Sequence, residues 1–387
     1  MKIIYFTTAC EKSDYVSFSS AWDTSLNTSI QDLHNRLIRS LALTHEVFVI
    51  SARPFSKKYC KLKKLEAGTK QEGKITWNYL EIIRSRVFRF ISTRRQAKRL
   101  LSKISLKDAI ILTDTLNPYL LSKSTSLAKK YDLPIIGVCN NTPSGIAGTG
   151  KSYTTLLLKS AKDLSGYITL TYGLNELYNE SNRANLTFEG VLEDKYDKTD
   201  ISSFGKYIFY NGSLNGKYGI FNLIKAFETI DNSDIKLVIS GYHGDQNAIN
   251  KAINGNKNVI NLGMIPIDYA LSLENGSLLN INPRPYSEDY DRYLIPNNVI
   301  DYLSANSITV SVKNHRLMNY FANDAIWIGS NEIDDLVYGI NKALSLTKEE
   351  RNALIKKANL DANKLYSMQV INRKVILFLK QFLKQKE

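Results

Sequence analysis

A loop with three closely spaced glycines and a lysine is the segment of this sequence best suited to binding an anion. Gly212, Gly216 and Gly219 surround Lys217, directly after an apolar run. Because glycine has no side chain, the backbone N–H groups of such a loop can approach a phosphate closely, and lysine adds a positive charge. The pattern predicts a phosphate-binding turn between a strand and a helix, although a purely structural turn can have the same composition.

A second candidate segment, residues 282–312, carries a cation and polar side chains beside a predicted helix start. Asn282-Pro283-Arg284 opens a polar loop after a predicted buried strand. Pro296 suits the first turn of a helix, on which Asn298 and Asp301 share one face. A strand, loop, helix and strand place the helix N-terminus at the carboxyl edge of a parallel sheet, where open α/β folds bind phosphorylated ligands. A βαβ unit without a site would have the same pattern.

Alternating strands and helices must position these residues. The alternation predicts a doubly wound, parallel α/β sheet in each half of the chain. Residues 8–28 predict a polar loop, and the charged, polar residues 189–206 predict a link between two domains. The strands predicted in the first half cover residues 2–7, 46–51, 108–113, 134–138 and 166–171.

Positive charge is concentrated in one part of the first half. The net charge is +14, and residues 53–107 hold 17 Lys or Arg against three Glu. Apolar residues such as Trp77, Tyr79 and Ile82 lie among these cations. This composition is typical of a surface that binds anionic lipid, with aromatic or aliphatic residues at the interface. The basic residues predicted to face the membrane are Arg84, Arg86, Arg94, Arg95, Lys98 and Arg99.

Two alternatives to a membrane surface stay open for this stretch. A solvated helix whose apolar side joins the core explains the apolar residues but not the concentration of charge. A nucleic-acid surface would also be basic, but no nucleic-acid-binding fold accompanies it. Nucleic acid is therefore not expected as a partner.

Length and composition favour a globular protein of two domains. A chain of 387 residues with 43% hydrophobic residues can bury two cores. No segment reaches the ~20 apolar residues that a membrane span requires, and the first apolar run is too short for a secretion signal. Cys10, Cys60 and Cys139 are odd in number and far apart, which indicates neither a disulfide framework nor a zinc site. We therefore expect a cytoplasmic protein.

The segment 282–312 resembles the donor-sugar motif of retaining glycosyltransferases of family 4 in the GT-B class. The similarity is strongest to a subgroup that acts in bacterial capsule and exopolysaccharide synthesis. Asn282-Pro283-Arg284, Pro296 and Tyr302-Leu303-Ser304-Ala305 match the motif of that subgroup.

Three further segments resemble the same family, in the family's order along the chain. The glycine–lysine loop at 207–220 is similar to the first loop of the donor domain. Residues 236–245, which include Gly241, and residues 258–266 resemble the next two strands and their turns. The resemblance thus covers residues 207–312.

This resemblance implies a GT-B fold, with two Rossmann-like, doubly wound parallel-sheet domains and a cleft between them. Residues 1–190 would form an acceptor-side, membrane-facing domain, and residues 205–368 the nucleotide-sugar donor domain. Residues 369–387 would form a helix that crosses back to the first domain.

The resemblance also implies transfer with retention, in which the departing diphosphate itself can accept the proton of the acceptor hydroxyl. Such a site must above all supply positive charge to the leaving phosphate. The catalytic candidates are Lys217 and Arg284, which would supply that charge, and Asp301, which would accept hydrogen bonds from the ribose. The remaining donor-binding candidates are Gly212, Ser213, Leu214, Asn215, Gly216, Gly241, Glu288, Pro296 and Asn298. No metal or other cofactor is expected, and the predicted partners are a nucleotide sugar and a lipid-linked saccharide acceptor.

The candidate acceptor-side residues are Asn140 and Asn141. They follow a predicted strand and precede a loop with three glycines, where a ligand loop belongs. The two histidines of this half, His34 and His45, are interpreted as helix-surface or boundary residues and not as catalysts.

Departures from the family pattern support an alternative function. Asn298 stands where the motif has lysine, Asp301 where it has glutamate and Asn306 where it has glycine. Tyr172 stands where relatives often have glutamate, and no aspartate precedes Pro143. The alternative is a catalytically degenerate GT-B protein that binds or stabilises a partner glycosyltransferase.

Overall fold

The computed structural model describes residues 1–19, 28–55, 62–83, 86–143, 150–193, 195–230, 234–242, 244 and 246–383. The chain divides into two compact units. Unit 1 consists of Met1–Val191, Arg292–Ile295 and Met368–Glu387, and unit 2 consists of Leu192–Asp291 and Pro296–Ser367. No helix in the described ranges is both long and apolar enough to cross a bilayer.

Unit 1 is built on an eight-stranded sheet in the order β10-β9-β8-β7-β1-β2-β5-β4, in which only the β4–β5 pair is antiparallel. The central strands are almost entirely apolar, as expected for a parallel sheet covered on both faces. A short antiparallel pair, β3–β6, lies outside this sheet. The strands of unit 1 are β1 (Lys2–Thr7), β2 (Val47–Ser51), β3 (Lys64–Leu65), β4 (Gly68–Glu72), β5 (Ile75–Tyr79), β6 (Ile82–Ile83), β7 (Ala109–Asp114), β8 (Ile135–Cys139), β9 (Gly166–Thr169) and β10 (Asn185–Thr187).

The helices of unit 1 connect these strands. In α4, Asn117 accepts a hydrogen bond from the Leu120 N–H and Pro118 occupies the first turn, so both signals fix the helix start. The first six helices are α1 (Lys12–Ser19), α2 (Thr28–Ala42), α3 (Arg86–Leu101), α4 (Pro118–Tyr131), α5 (Lys151–Ala161) and α6 (Tyr172–Tyr178).

Two predictions for unit 1 are wrong. Helix α1 begins within the segment predicted to be a polar loop, because Glu11 accepts hydrogen bonds from the N–H groups of Ser13 and Asp14 at its first turn. Trp77, Tyr79 and Ile82 do not lie at a membrane interface. Their side chains are buried in the core of unit 1, Trp77 completely. Trp77 and Tyr79 are buried because β5 pairs with β2 in the main sheet, whereas Ile82 lies in β6, which pairs with β3.

Unit 2 is a six-stranded, entirely parallel sheet in the order β13-β12-β11-β14-β15-β16. This is the strand order of a dinucleotide-binding Rossmann sheet. The strands are β11 (Lys206–Ser213), β12 (Ile235–Tyr242), β13 (Val259–Asn261), β14 (Leu279–Asn282), β15 (Ile308–Val312) and β16 (Ile326–Ile328). The helices are α7 (Ile220–Glu228), α8 (Gln246–Ile253), α9 (Ile267–Gly276), α10 (Glu288–Tyr293), α11 (Asn297–Ser304), α12 (His315–Phe321), α13 (Ile333–Leu344) and α14 (Lys348–Tyr366). The last two residues of α10, Arg292 and Tyr293, belong to unit 1.

The last helix, α15 (Met368–Lys380), belongs to unit 1. Ser40 Oγ donates a hydrogen bond to the Met368 carbonyl at 2.8 Å, and Asn372 Nδ2 donates to the Ser40 carbonyl at 2.6 Å. Ile371 and Leu379 are fully buried in the core of unit 1. The end of the chain is therefore part of the core of unit 1.

Candidate functional site

The strand order of unit 2 creates a switch point between β11 and β14. From β11 the chain moves to β12 and β13 on one side, then returns to β14 on the other side of β11. Loops that leave the carboxyl ends of such strands diverge and form a crevice, where open α/β sheets bind their ligands. Lys217 lies in the loop after β11 and Arg284 in the loop after β14. The two predicted phosphate-binding cations thus occupy the two loops of this switch point.

The loop after β11 is a compact turn. Asn215 Oδ1 accepts a hydrogen bond from the Lys217 N–H at 3.1 Å, and residues Gly216–Tyr218 form one turn of 3-10 helix. Gly219 ends this turn with φ of +84°, and a Cβ at this position would collide with the Pro283 carbonyl oxygen. Only glycine therefore allows the turn to pack against the residue that precedes Arg284.

Lys217 and Arg284 both contact the ring of Tyr218. Lys217 Nζ lies 5.0 Å from the ring centre and Arg284 Cζ lies 4.3 Å from it. Arg284 Cζ is also 3.2 Å from the ring centre of Tyr290. Neither the Lys217 ammonium nor the Arg284 guanidinium has a hydrogen bond or ion pair with a residue in the described ranges. Lys217 is exposed and Arg284 is half-buried, so both positive charges are accessible to an anion.

The ends of β11 and β12 are tightly packed beside this turn. Gly241 has a φ of +148°, donates its N–H to the Gly263 carbonyl at 2.8 Å, and leaves no room for a Cβ next to the Gly212 carbonyl oxygen. The Ser213 carbonyl accepts a hydrogen bond from Tyr210 Oη at 2.8 Å. Leu214 is fully buried in the core of unit 2, so only its backbone could contact a donor.

Helix α11 is attached to β11 through Asn211. Tyr302 Oη accepts a hydrogen bond from the Asn211 N–H at 2.8 Å, and Asn298 Nδ2 donates to the Asn211 carbonyl at 3.1 Å. Burial raises the pKa of Tyr302 well above its ordinary value, so its hydroxyl stays protonated. Asn298 is predicted to bind the donor, but its amide nitrogen donates to the backbone of β11 and so attaches α11 to the sheet. Its contact with a donor stays a prediction.

The other predicted donor residues lie around the same helix. Pro296 is buried at the start of α11, and Asp301 is only 8% exposed on that helix. Glu288 is exposed in the first turn of α10. The roles predicted for these residues stay predictions.

Helix α10 is fixed by Asp291. Asn314 Nδ2 donates to Asp291 Oδ1 at 2.7 Å, and the His315 N–H donates to Asp291 Oδ2 at 3.1 Å. Burial raises the pKa of Asp291 above its ordinary value despite these hydrogen bonds. The contact ties α10, which carries Tyr290, to the start of α12.

The predicted acceptor-side residues border a buried polar cluster in unit 1. Asn140 Nδ2 lies 3.3 Å from His34 Nε2, and His34 Nδ1 lies 2.8 Å from Tyr5 Oη. His34 is fully buried 3.7 Å from Asp114, so its predicted position at a helix surface or boundary is wrong. Asn141 is half-buried, and its side chain accepts a hydrogen bond from the Thr142 N–H at 2.7 Å.

Four basic residues in the described part of α3 form one exposed face. Ile91, 52% exposed, and the exposed Arg94, Arg95, Lys98 and Arg99 follow the spacing of a single helical face, whereas Thr93, Ala97 and Leu101 are buried. None of the four cations forms an ion pair with a residue that the structure describes. Arg84 and the side chain of Arg86 lie outside the described residues. Membrane contact by this face stays a prediction.

Sequence reasoning missed Tyr218 and Tyr290. Both lie next to charged residues in polar segments, a placement that tyrosines share with many surface positions. The one available signal was the position of Tyr218 directly after Lys217, inside the glycine-rich loop. The contact of Tyr218 with Arg284 joins residues far apart in the sequence and appears only in the folded chain.

Comparisons with known proteins agree with this geometry. Residues 193–361 match the family model described as glycosyl transferases group 1. The match covers the loops that carry Lys217 and Arg284. A search of curated proteins found no match to the sequence.

Several solved structures are similar to the whole chain. Sucrose-phosphate synthase from Thermosynechococcus elongatus has a TM-score of 0.72 and 10% identity, with 100% of both chains covered. The Anabaena protein HepE in complex with UDP has a TM-score of 0.66 and 12% identity, with 98% of this chain and 100% of HepE covered. Trehalose 6-phosphate synthase from Burkholderia multivorans has a TM-score of 0.64 and 10% identity, with 99% and 97% covered. At such identities, the likeness shows the fold alone.

Together these findings confirm two predictions. The chain has the α/β architecture of the GT-B class, with parallel-sheet units, and it carries a glycosyltransferase domain and is a transferase. The cleft between domains and the absence of a metal or cofactor stay predictions.

Proposed function

We propose that this protein transfers a sugar from a nucleotide-sugar donor to a saccharide, with Lys217 and Arg284 binding the diphosphate of the donor. The observation that carries the proposal is that both cations lie against one tyrosine ring at the switch point of unit 2, with no counter-ion among the described residues. A half-buried guanidinium with vacant N–H donors is suited to bidentate binding of phosphate oxygens. A diphosphate supplies the negative charge that this arrangement lacks.

In the proposed mechanism, positive charge acts on the leaving group. As the bond from the sugar to the diphosphate breaks, negative charge grows on the phosphate oxygens, and a fixed guanidinium and ammonium stabilise it. The departing phosphate then accepts the proton of the acceptor hydroxyl, and the new glycosidic bond forms on the same face with retention. The backbone N–H groups at 212–216 contribute further donors to the diphosphate.

The acceptor in this proposal is a lipid-linked saccharide of bacterial capsule or exopolysaccharide synthesis, at the cytoplasmic membrane face. Support comes from the resemblance of residues 282–312 to that subgroup of family 4 and from the exposed basic face of α3. Four cations on one helix, with an exposed Ile91 beside them, suit an anionic bilayer surface.

The donor-site proposal is tested by comparing Lys217→Ala with Lys225→Ala. Lys225 is an exposed lysine on α7 of the same unit and serves as the matched control. With a panel of nucleotide sugars, Lys217→Ala should reduce turnover about a hundredfold or more, whereas the control stays near wild type. Equal activity of the two variants and the wild type would contradict the proposal. If the wild-type protein transfers no sugar but is still needed for polymer formation by another glycosyltransferase, the result would favour the catalytically degenerate alternative.

The membrane proposal needs a separate experiment. Replacing Arg94, Arg95, Lys98 and Arg99 with glutamine should weaken binding to phosphatidylserine-containing vesicles by about two orders of magnitude at low salt. The control replaces four exposed lysines of α13 and α14 with glutamine and therefore removes the same charge from unit 2. Equal losses in both variants would show that net charge, and not the face of α3, determines binding. The control lysines are Lys342, Lys348, Lys356 and Lys364.

A further inference from the structure

We infer that Tyr218 and Tyr290 are positioning residues for the reaction, because their rings hold the Arg284 guanidinium in the orientation that binds the donor diphosphate. This inference rests on the proposed function. It concerns two residues that act through Arg284 and need not touch the substrate themselves.

The contacts bring together three separate segments of unit 2. Tyr218 lies in the 3-10 turn after β11, Arg284 in the loop after β14, and Tyr290 in α10. The Arg284 carbon Cζ is 4.3 Å from the ring centre of Tyr218 and 3.2 Å from that of Tyr290. Both distances are within the ~6 Å over which a cation and an aromatic face attract each other.

Aromatic rings hold an arginine without using its hydrogen-bond donors. A carboxylate partner would occupy the N–H groups of Arg284 and cancel its charge. A ring instead contacts the flat face of the guanidinium, so its five N–H donors stay directed outward in a fixed plane. The absence of any hydrogen bond or ion pair from Arg284 to a described residue matches this arrangement.

The backbone that carries each tyrosine is fixed by hydrogen bonds and close packing. The Tyr218 N–H donates to the Asn215 carbonyl at 2.9 Å, and the adjacent Gly219 packs against Pro283. The Tyr290 N–H donates to Ser287 Oγ at 3.1 Å, and its neighbour Asp291 is bonded to α12. The guanidinium is therefore oriented before a donor arrives, which reduces the entropy lost on binding.

The test measures the binding of UDP, GDP and ADP by titration calorimetry. For the nucleotide that the wild type binds most tightly, Tyr290→Leu should raise the dissociation constant about tenfold, and Tyr290→Phe, which keeps the ring, should stay within about twofold. The matched control is Tyr286→Leu. Tyr286 is an exposed tyrosine in the loop that carries Arg284, but its ring contacts His315 instead of the guanidinium. This variant should therefore bind like the wild type.

A double-mutant cycle separates positioning from a general structural role. In an Arg284→Gln background, Tyr290→Leu should have no further effect, because the residue through which it acts is gone. An undiminished loss in that background would overturn the inference, as would equal binding by the Leu and Phe variants. If Tyr290→Leu does not fold, Tyr218→Leu and Tyr218→Phe provide the same comparison. A wild type that binds none of the three nucleotides would instead refute the proposed function itself.

Discussion

The two units treat charge differently at the carboxyl ends of two adjacent central strands, β1 and β7 in unit 1 and β11 and β14 in unit 2. In unit 2, Lys217 and Arg284 lie against aromatic rings and have no ion pair with a described residue. In unit 1, Glu11 accepts a hydrogen bond from Lys70 Nζ at 2.5 Å, and Asp114 lies 3.7 Å from the buried His34. At these strand ends, unit 1 neutralises its charges with its own side chains, whereas unit 2 leaves positive charge for a ligand to neutralise.

The pKa values in unit 1 show the effect of this internal pairing. Burial alone raises the pKa of Glu11, but hydrogen bonds from Lys70 and Ser13 lower it to about 2. Burial likewise acts to raise the pKa of Asp114, yet the charge of His34 and several hydrogen bonds lower it below its ordinary value. Charges paired in this way stabilise the fold. We therefore expect the charges at the strand ends of unit 1 to stabilise the fold and those at the switch point of unit 2 to bind a ligand.

The largest effect is expected from removing both cations of unit 2. Lys217→Ala with Arg284→Ala should lower transfer by about a thousandfold or more, because the leaving diphosphate loses both positive charges. Activity is measured as release of nucleoside diphosphate, and the melting temperature should hardly change. The matched variant in unit 1, Arg39→Gln with Lys70→Gln, removes two paired cations, because Arg39 lies 3.1 Å from Glu72 and Lys70 lies 2.5 Å from Glu11. This variant should keep nucleotide binding but melt at a lower temperature. Loss of nucleotide binding in both double variants would show that the two units do not differ in this way.

Removing one member of the buried pair in unit 1 should affect stability and not binding. Asp114→Ala leaves the fully buried His34 without its carboxylate and the Leu116 N–H without its acceptor. We expect a loss of about 3 kcal/mol in the free energy of unfolding, measured by urea denaturation. Titration with nucleotide under native conditions should give the wild-type dissociation constant. An unchanged stability would show that this pair does not stabilise unit 1.

The pH dependence of the free energy of unfolding should reveal the contribution of Glu11. Because the pKa of Glu11 is lower in the folded state than its ordinary value of 4.5, its contribution is complete above about pH 5 and is lost as the pH falls toward 2. Glu11→Gln should therefore be about 2 kcal/mol less stable than the wild type near pH 7, with a difference that shrinks below pH 4.5. Chemical denaturation across this pH range provides the measurement. Glu228→Gln, at an exposed carboxylate of α7, serves as the control and should show no such trend.

The smallest effect is expected from Tyr302→Phe. This change removes one hydroxyl, which accepts a hydrogen bond from the Asn211 N–H beneath the loops of unit 2. An unpaired buried N–H costs about 1–2 kcal/mol, so urea denaturation should detect a modest loss. Nucleotide binding should weaken only slightly, since Lys217 and Arg284 are unchanged. A large loss of binding with normal stability would indicate that the tyrosine itself contacts the ligand.

Sequence reasoning worked where a segment's own pattern determines its structure. The strand predicted at residues 108–113 is β7, Ala109–Asp114, because a continuous apolar run suits a strand buried on both faces of a parallel sheet. The first strand, Lys2–Thr7, is equally well predicted from its continuous apolar run. The glycine–lysine loop was found because glycine spacing and charge lie within one short segment.

The predictions failed where distant contacts determine the outcome. Helix α1 has no clear apolar periodicity and starts where Glu11 binds its first N–H groups, while Lys70 holds Glu11 from elsewhere in the sequence. Trp77 is buried because β5 pairs with β2 and β4, although it lies within the strongly basic stretch of residues 53–107. The stacking of Arg284 on Tyr218 depends likewise on the topology of the sheet. Local composition contains no information about such pairings.

The position of α15 in unit 1 has a consequence for the synthesis of this protein. A ribosome makes Leu37 and the strands of unit 1 early, but it adds Ile371 and Leu379, which complete the same core, only after the whole of unit 2. Unit 2 can therefore fold during translation while unit 1 still lacks its last helix. Until residue 380 emerges, apolar surface around α2 stays uncovered and is available to chaperones. Although unit 1 begins first along the chain, its core is thus completed last in the order of synthesis.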